Sequence, residues 1–308
     1  MFGLNLKART GKTIACCLSE RGYSLAAVKD NKKLIFNLSR EFASKPELMR
    51  KTFADDVAQL HIVGAQCRVI LAPGQYQLLL MDALDVPEEE MVKALRWRLK
   101  GLVDYPLNDI AMDAFIVPPH GVVGQRRKVF VAVTLLSALK TKLAMLEAAY
   151  LTVSSIGIGE LALANLLALM PKKPEAPLIV ISLEQSLCQL QIIYSDKLYL
   201  VRQLPFNQSL IKEVGVMGEG VLLEIQRSID YCLSELKLPE PQQIVFTPGF
   251  HEATDLLAFL RQELTKEIIL LDIGNFLQME PRLTLKEEQD SFYSIGGALT
   301  FSAQEQDE

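Results

Sequence analysis

An internal repeat constrains this chain more than any other feature of its sequence. Short strand-like runs at Gly3–Leu6, Thr13–Leu18 and Tyr23–Val28 are separated by turn residues, most clearly Ser19-Glu20-Arg21-Gly22. The same strand–turn–strand–turn–strand rhythm returns at Leu178–Leu183, Leu187–Tyr194 and Lys197–Gln203, broken at Glu184-Gln185-Ser186 and Ser195-Asp196. Pro171, Pro174 and Pro177 mark the seam between the copies. One supersecondary unit used twice predicts two related lobes, not a single sheet.

The segments between the meanders alternate helix and strand. Pro46 suits the first turn of a helix. Strands are expected at Arg68–Ala72 and Tyr76–Met81, and the near-continuous apolar run Lys128–Leu135 reads as a central strand. Pro87 opens a helix whose first turn, Glu88-Glu89-Glu90, complements its dipole, with Leu95, Leu99 and Leu102 on one face. Ser137 is placed to cap the next helix, and Gly159–Met170 forms another. The second half continues with a stripe of Leu222, Ile225, Ile229, Cys232 and Leu236, a strand at Gln243–Thr247, a helix at Ala253–Leu264 and a strand at Glu267–Leu271. The class is α/β.

Bulk properties narrow the function. The 308 residues suit about two domains of ~150 residues. Half of the chain is hydrophobic, enough to bury a sizeable core. The net charge of -5, without a basic stripe, argues against nucleic acid as a partner. Five scattered cysteines (Cys16, Cys17, Cys67, Cys188, Cys232) have no ligand spacing, so no metal site is expected, and they fit a reducing cytoplasm. No secretory leader is read, and Leu143–Met170 is interrupted by Glu147, Glu160 and several small residues, so no membrane span is expected either. The histidines His61, His120 and His251 lie far apart without a nucleophile motif and read as surface or packing residues.

Gly11-Lys12-Thr13 ends like a phosphate-binding loop, but the position of its first glycine is Leu6 and no useful strand precedes it. Three other stretches point to a better reading. Leu95–Val117 ("LRWRLKGLVDYPLNDIAMDAFIV"), Ile158–Leu169 ("IGELALANLLAL") and Leu222–Leu236 ("LLEIQRSIDYCLSEL") resemble segments of the PilM-type pilus assembly proteins, which have the actin-like ATPase (ribonuclease H-like) fold. The resemblance implies a first lobe over 1–172, with a small inserted subdomain at about 73–127. A second lobe over 173–301 would have a reduced or absent second subdomain, and 302–308 would be a flexible tail.

In that family ATP lies between the lobes, and the expected cleft is degenerate. The first phosphate loop, D-I-G-S-x-S-V-K, falls on residues 5–12, where Asn5 replaces the aspartate and Lys7 the glycine, while Lys12 matches. An amide cannot hold Mg²⁺ as a carboxylate does, and a long side chain blocks the backbone from phosphate. The second loop falls on Ser182-Leu183-Glu184, with the acid lost and a carboxylate where phosphate would come. The adenine loop keeps one glycine, at Pro248-Gly249. Lys12 is either a phosphate contact or a solvated turn lysine. Gly296-Gly297 are either a remnant of the loop by which the last helix closes the site or a structural pair at a strand-to-helix turn. No catalytic residue and no cofactor are expected, ATP with Mg²⁺ being the ligand that intact loops would hold.

The resemblance further implies a groove for the N-terminal cytoplasmic tail of a single-span inner-membrane pilus protein of the MshJ or PilN type, the motor ATPase or platform protein being the further partner. Leu80, Trp97, Leu102, Tyr105 and Pro106 are the groove candidates, Trp97 being alternatively a core or interdomain edge residue. The implied function is a non-catalytic scaffold of an MSHA-like type IV pilus machine, cytoplasmic and peripheral at the inner membrane. The alternatives are a nucleotide-responsive switch with little or no hydrolysis, and a sugar- or acyl-phosphate kinase.

Overall fold

The computed structural model describes residues 12–19, 22–42, 46–118, 127–170, 175–184, 187–204, 214–250 and 253–299. The expected strand at Gly3–Leu6 and the 302–308 tail lie outside them. The first meander consists of β1 (Lys12–Leu18), β2 (Gly22–Lys29) and β3 (Lys33–Glu41), so it starts one strand later than the sequence suggested. β3 was not anticipated because it is the sheet's edge: eight of its nine side chains are half-buried or exposed, and the apolar alternation is blurred.

Helix α1 (Pro46–Gln59) leads to β4 (Gln66–Leu71), which runs parallel to β1. The chain then leaves the lobe through β5 (Gln77–Asp82), α2 (Glu88–Arg98), β6 (Ile110–Ile116) and β7 (Lys128–Leu135). These strands form a separate sheet in the order β5-β7-β6, with β7 central as its composition predicted. The inserted subdomain therefore extends beyond 127 to Leu135, because β7 is the strand that holds it together. One face of this sheet packs Val129, Val131 and Val133 against Met91, Leu95 and Leu99 of α2. The other face presents Leu78, Leu80, Phe115 and Phe130 to the main core. The insert's exit and re-entry points meet, since Thr134 Oγ1 donates to the Gln75 carbonyl at 2.8 Å.

Helix α3 (Leu136–Ala148) returns the chain to β8 (Thr152–Ile158), which pairs with β4 and completes the order β3-β2-β1-β4-β8. Ser137 is not its cap. It lies inside the first turn, and the Asp109 carboxylate accepts from its N–H at 3.0 Å and its hydroxyl at 2.6 Å.

After α4 (Gly159–Leu167), the second lobe repeats the first. Its strands are β9 (Leu178–Glu184), β10 (Leu187–Tyr194), β11 (Lys197–Leu204), β12 (Gln243–Phe246) and β13 (Glu267–Leu270), in the order β11-β10-β9-β12-β13. Helix α5 (Val214–Ser234) joins β11 to β12, and α6 (Thr254–Glu263) joins β12 to β13. The last helix, α7 (Leu285–Ala298), starts at a capping box in which Thr284 accepts from the Glu287 N–H and the Glu287 side chain accepts from that of Thr284. It packs back on the first lobe, against α4, β1 and β2.

Gly296 and Gly297 stand in the last turn of α7, not at a strand-to-helix turn. A Cβ on Gly296 would lie 2.1 Å from the Ala162 carbonyl oxygen, and one on Gly297 would lie 2.4 Å from Ile70. The glycines let α7 press onto α4 and the sheet. One apolar core runs from Ala15 and Ile70 of the first lobe through α4 and α7 into the second.

Candidate functional site

Each meander delivers the end of its first strand to the cleft between the lobes. In the first lobe Ser19 N–H donates to the Gly22 carbonyl at 2.9 Å and closes the β1–β2 hairpin. In the second, Glu184 pairs with Leu187 and closes the β9–β10 hairpin. Matching the hairpins makes Cys17-Leu18-Ser19 the counterpart of Ser182-Leu183-Glu184. The first-lobe hairpin at the cleft is thus Leu18–Gly22, downstream of the positions expected at 5–12. Asn5 and Lys7 lie outside the described residues. The Lys12 backbone begins β1, paired with Lys29 at the strand's far end, about 20 Å from Leu18 at the usual rise per residue.

The cleft has a volume of about 460 Å³. Cys17 and Ser19 line it on one side and Leu187 on the other, with Gly74 and Gln75 from the loop after β4. Lys286, Gln289 and Asp290 of α7 also line it, and Lys286 is paired with Asp290 at 3.2 Å. Ser182 is fully buried in β9 and faces Gln189, and no described group bonds its hydroxyl.

Pro248 and Gly249 form a tight turn after β12, fastened to β9 by Thr247 N–H to the Ile181 carbonyl at 3.0 Å. A Cβ on Gly249 would lie 2.9 Å from the Leu183 oxygen and 3.0 Å from Gln289 Nε2, so α7 already covers this turn. The structure therefore brings Ser182, the Glu184 backbone, Pro248 and Gly249 together. It places Gly296 and Gly297 away from them, toward the other end of α7.

These residues differ from what Mg²⁺-ATP requires. The two hairpins offer a thiol and a hydroxyl where carboxylates would bind the hydrated metal, and Ser19 has a Cβ where backbone would approach phosphate. Gln289 stands over the turn that would take the base. Among the described residues, the donor set does not match a Mg²⁺-ATP site.

Two buried polar constellations flank the cleft, neither evident from the sequence. Asp56 of α1 is buried and accepts from Tyr23 Oη at 2.6 Å, from Arg40 Nε at 3.0 Å and from a second Arg40 nitrogen at 3.0 Å. Burial alone would raise this carboxyl, but the guanidinium and the phenol outweigh it and hold it below its ordinary range. Tyr76 donates to Glu160 at the start of α4 and accepts from Gly159 N–H at 3.2 Å. Burial is the largest influence on Glu160 and raises it, against the Tyr76 hydroxyl and the second-lobe Gln189, which lower it. Periodicity gives no signal for either acid, since both occupy positions that a pattern assigns to apolar residues.

The groove candidates divide between two surfaces. Leu80 is half-buried on the sheet face turned to the main core, while Tyr105 joins the cluster around α2 on the opposite face. Leu80 points from β5 toward the main core, while Tyr105 packs from the loop after α2 into the other cluster. Pro106 is exposed at the head of a short 3-10 turn, which Arg96 ties to α2 by a 2.7 Å bond to the Leu107 carbonyl. Trp97 is 79% exposed near the C-terminal end of α2, and Leu102 is 54% exposed in the turn beyond it. Leu102 leaves the Leu95–Leu99 face because the chain turns at Gly101, whose φ is +80°.

Among solved structures, the chain is similar to that of the PilM-PilN type IV pilus biogenesis complex, at 15% identity and a TM-score of 0.74, over 95% of this chain and 100% of that one. It is also similar to a protein of actin-like ATPase fold and unknown function from Bacteroides thetaiotaomicron, at 9% identity and a TM-score of 0.54, over 87% and 93% of the two chains. No protein-family model and no curated protein matches the sequence. Two meander-led sheets of the same strand order, facing one another across a cleft, give this chain the actin-like ATPase fold.

Proposed function

We propose that the chain is a non-catalytic scaffold of a type IV pilus assembly machine, of the MshI type that serves MSHA-like pili. It would hold the cytoplasmic tail of a single-span inner-membrane partner of the MshJ or PilN type and connect it to the assembly motor or platform. The supporting observation is the coincidence of a whole-chain likeness to the PilM-PilN structure with a cleft lined by Cys17 and Ser19, while Ser182 is buried in β9 beside it. No helix among the described residues is long and apolar enough to cross a membrane.

The tail is expected at the seam between the small sheet and the first lobe, around half-buried Leu80, as an extended peptide with backbone bonds and side-chain pockets. Calorimetric titration with the partner's tail peptide, and separately with Mg²⁺-ATP, tests this reading. Micromolar peptide binding that Leu80→Asp abolishes, with no heat from ATP, is the expected result. Tight ATP binding without peptide binding would replace it with a nucleotide-responsive switch.

A further inference from the structure

Helix α2 is polarised along its length. Its first turn holds Glu88, Glu89 and Glu90, and its far end holds Lys93, Arg96 and Arg98, followed by Lys100. The helix dipole accounts for that order of charges. It does not account for a tryptophan 79% exposed among them, nor for Leu102 54% exposed beyond the Gly101 turn. Arg96 is engaged by the Leu107 carbonyl, which leaves Lys93, Arg98 and Lys100 exposed around Trp97, with Asp104 the opposing charge in the next turn.

We propose that this end of the small subdomain contacts an anionic membrane surface. Trp97 and Leu102 enter the headgroup layer while Lys93, Arg98 and Lys100 meet lipid phosphates. An indole has an apolar body and an N–H for the wet boundary, and each basic residue near an anionic surface strengthens attachment about fivefold. The chain as a whole carries a net charge of -5, so its overall field opposes such surfaces and the contact is confined to this end. Leu80 belongs to the opposite sheet face, so the exposed pair stands apart from the seam considered for a peptide. The contact depends only on α2 and its following turn, and is independent of any role in pilus assembly.

Trp97 is the single tryptophan, so fluorescence excited at the red edge, where tyrosine does not absorb, reports this site alone. Adding phosphatidylglycerol vesicles should shift its emission to the blue and protect it from acrylamide, and salt should reverse both. Phosphatidylcholine vesicles should do neither. Reversing two exposed charges, Arg98→Glu with Lys100→Glu, should weaken partition at least tenfold while the far-ultraviolet circular dichroism is unchanged. No shift with phosphatidylglycerol would overturn the proposal, as would an equal shift with phosphatidylcholine or full binding by the double variant. A blue shift produced by a partner's tail peptide without lipid would assign Trp97 to a protein interface instead.

Discussion

The Tyr76 hydroxyl donates to the Glu160 carboxyl across 84 residues of sequence, in the interior where the lobes meet. Burial raises Glu160, so the folded protein holds that proton to higher pH than the unfolded chain does. The associated stability is present below the unfolded carboxyl range and is lost as pH rises through the folded value. Glu160→Gln should therefore flatten the fall in stability on the alkaline side of that range, measured by urea unfolding at a series of pH values. Tyr76→Phe should lower stability by about 1–3 kcal/mol, because the acid loses a buried donor.

The Asp56 triad has the opposite sign. Its carboxyl is held low in the folded state, so its contribution is present above the unfolded value and disappears as pH falls through the folded one. Asp56→Asn should cost roughly 2 kcal/mol at neutral pH and remove that acid-side loss. Circular-dichroism melts at neutral and acid pH would show the gap between wild type and variant closing as pH falls. A gap constant with pH would mean that Asp56 contributes by packing rather than by charge.

Gly296 reverses a familiar substitution. Replacing glycine by alanine inside a helix ordinarily stabilises by about 1 kcal/mol. Here the new methyl would meet the Ala162 carbonyl at 2.1 Å and push α7 from α4, so a loss of about 1–3 kcal/mol is expected from the overpacking. Calorimetric melting of Gly296→Ala decides between the two signs.

Leu95 and Leu102 differ as buried and solvent-facing leucines should. Leu95→Ala empties a fully buried position against the valines of β7 and should cost about 2–5 kcal/mol. Leu102→Ala should change stability by less than about 0.5 kcal/mol. Comparable losses in denaturant titrations would contradict the turn at Gly101.

Much of the fold was legible where burial is one-sided or complete. The strands β9, β10 and β7 are largely apolar because they lie between layers, and the α5 stripe packs on the core through buried Ile225 and Cys232 and half-buried Leu222 and Ile229. The edges were not legible. β3 and β8 keep one flank in solvent, and "TVSSIGI" shows neither an alternation nor an apolar run. Helix α7 escaped notice although Thr284 and Glu287 carry the spacing of a capping box, because Gly296-Gly297 read as a turn; that pair serves helix contact instead.

In the second lobe, Ser182, Pro248 and Gly249 come together at the ends of β9 and β12, as the sequence order of the second meander allowed. The first hairpin was misplaced because β3 went unseen, which shifted the assigned loop upstream to residues 5–12. Leu80 and Tyr105 were grouped through the implied groove, whereas the structure packs Leu80 toward the main core and Tyr105 into the cluster around α2.

Gln75 and Thr134 share a hydrogen bond, and between them lies the entire excursion through β5, α2, β6 and most of β7. The small subdomain is in that sense a cassette, spliced into a crossover at one point. Its sequence can diverge, or be exchanged for another, while the two sheets that face each other keep their strand order and their distance.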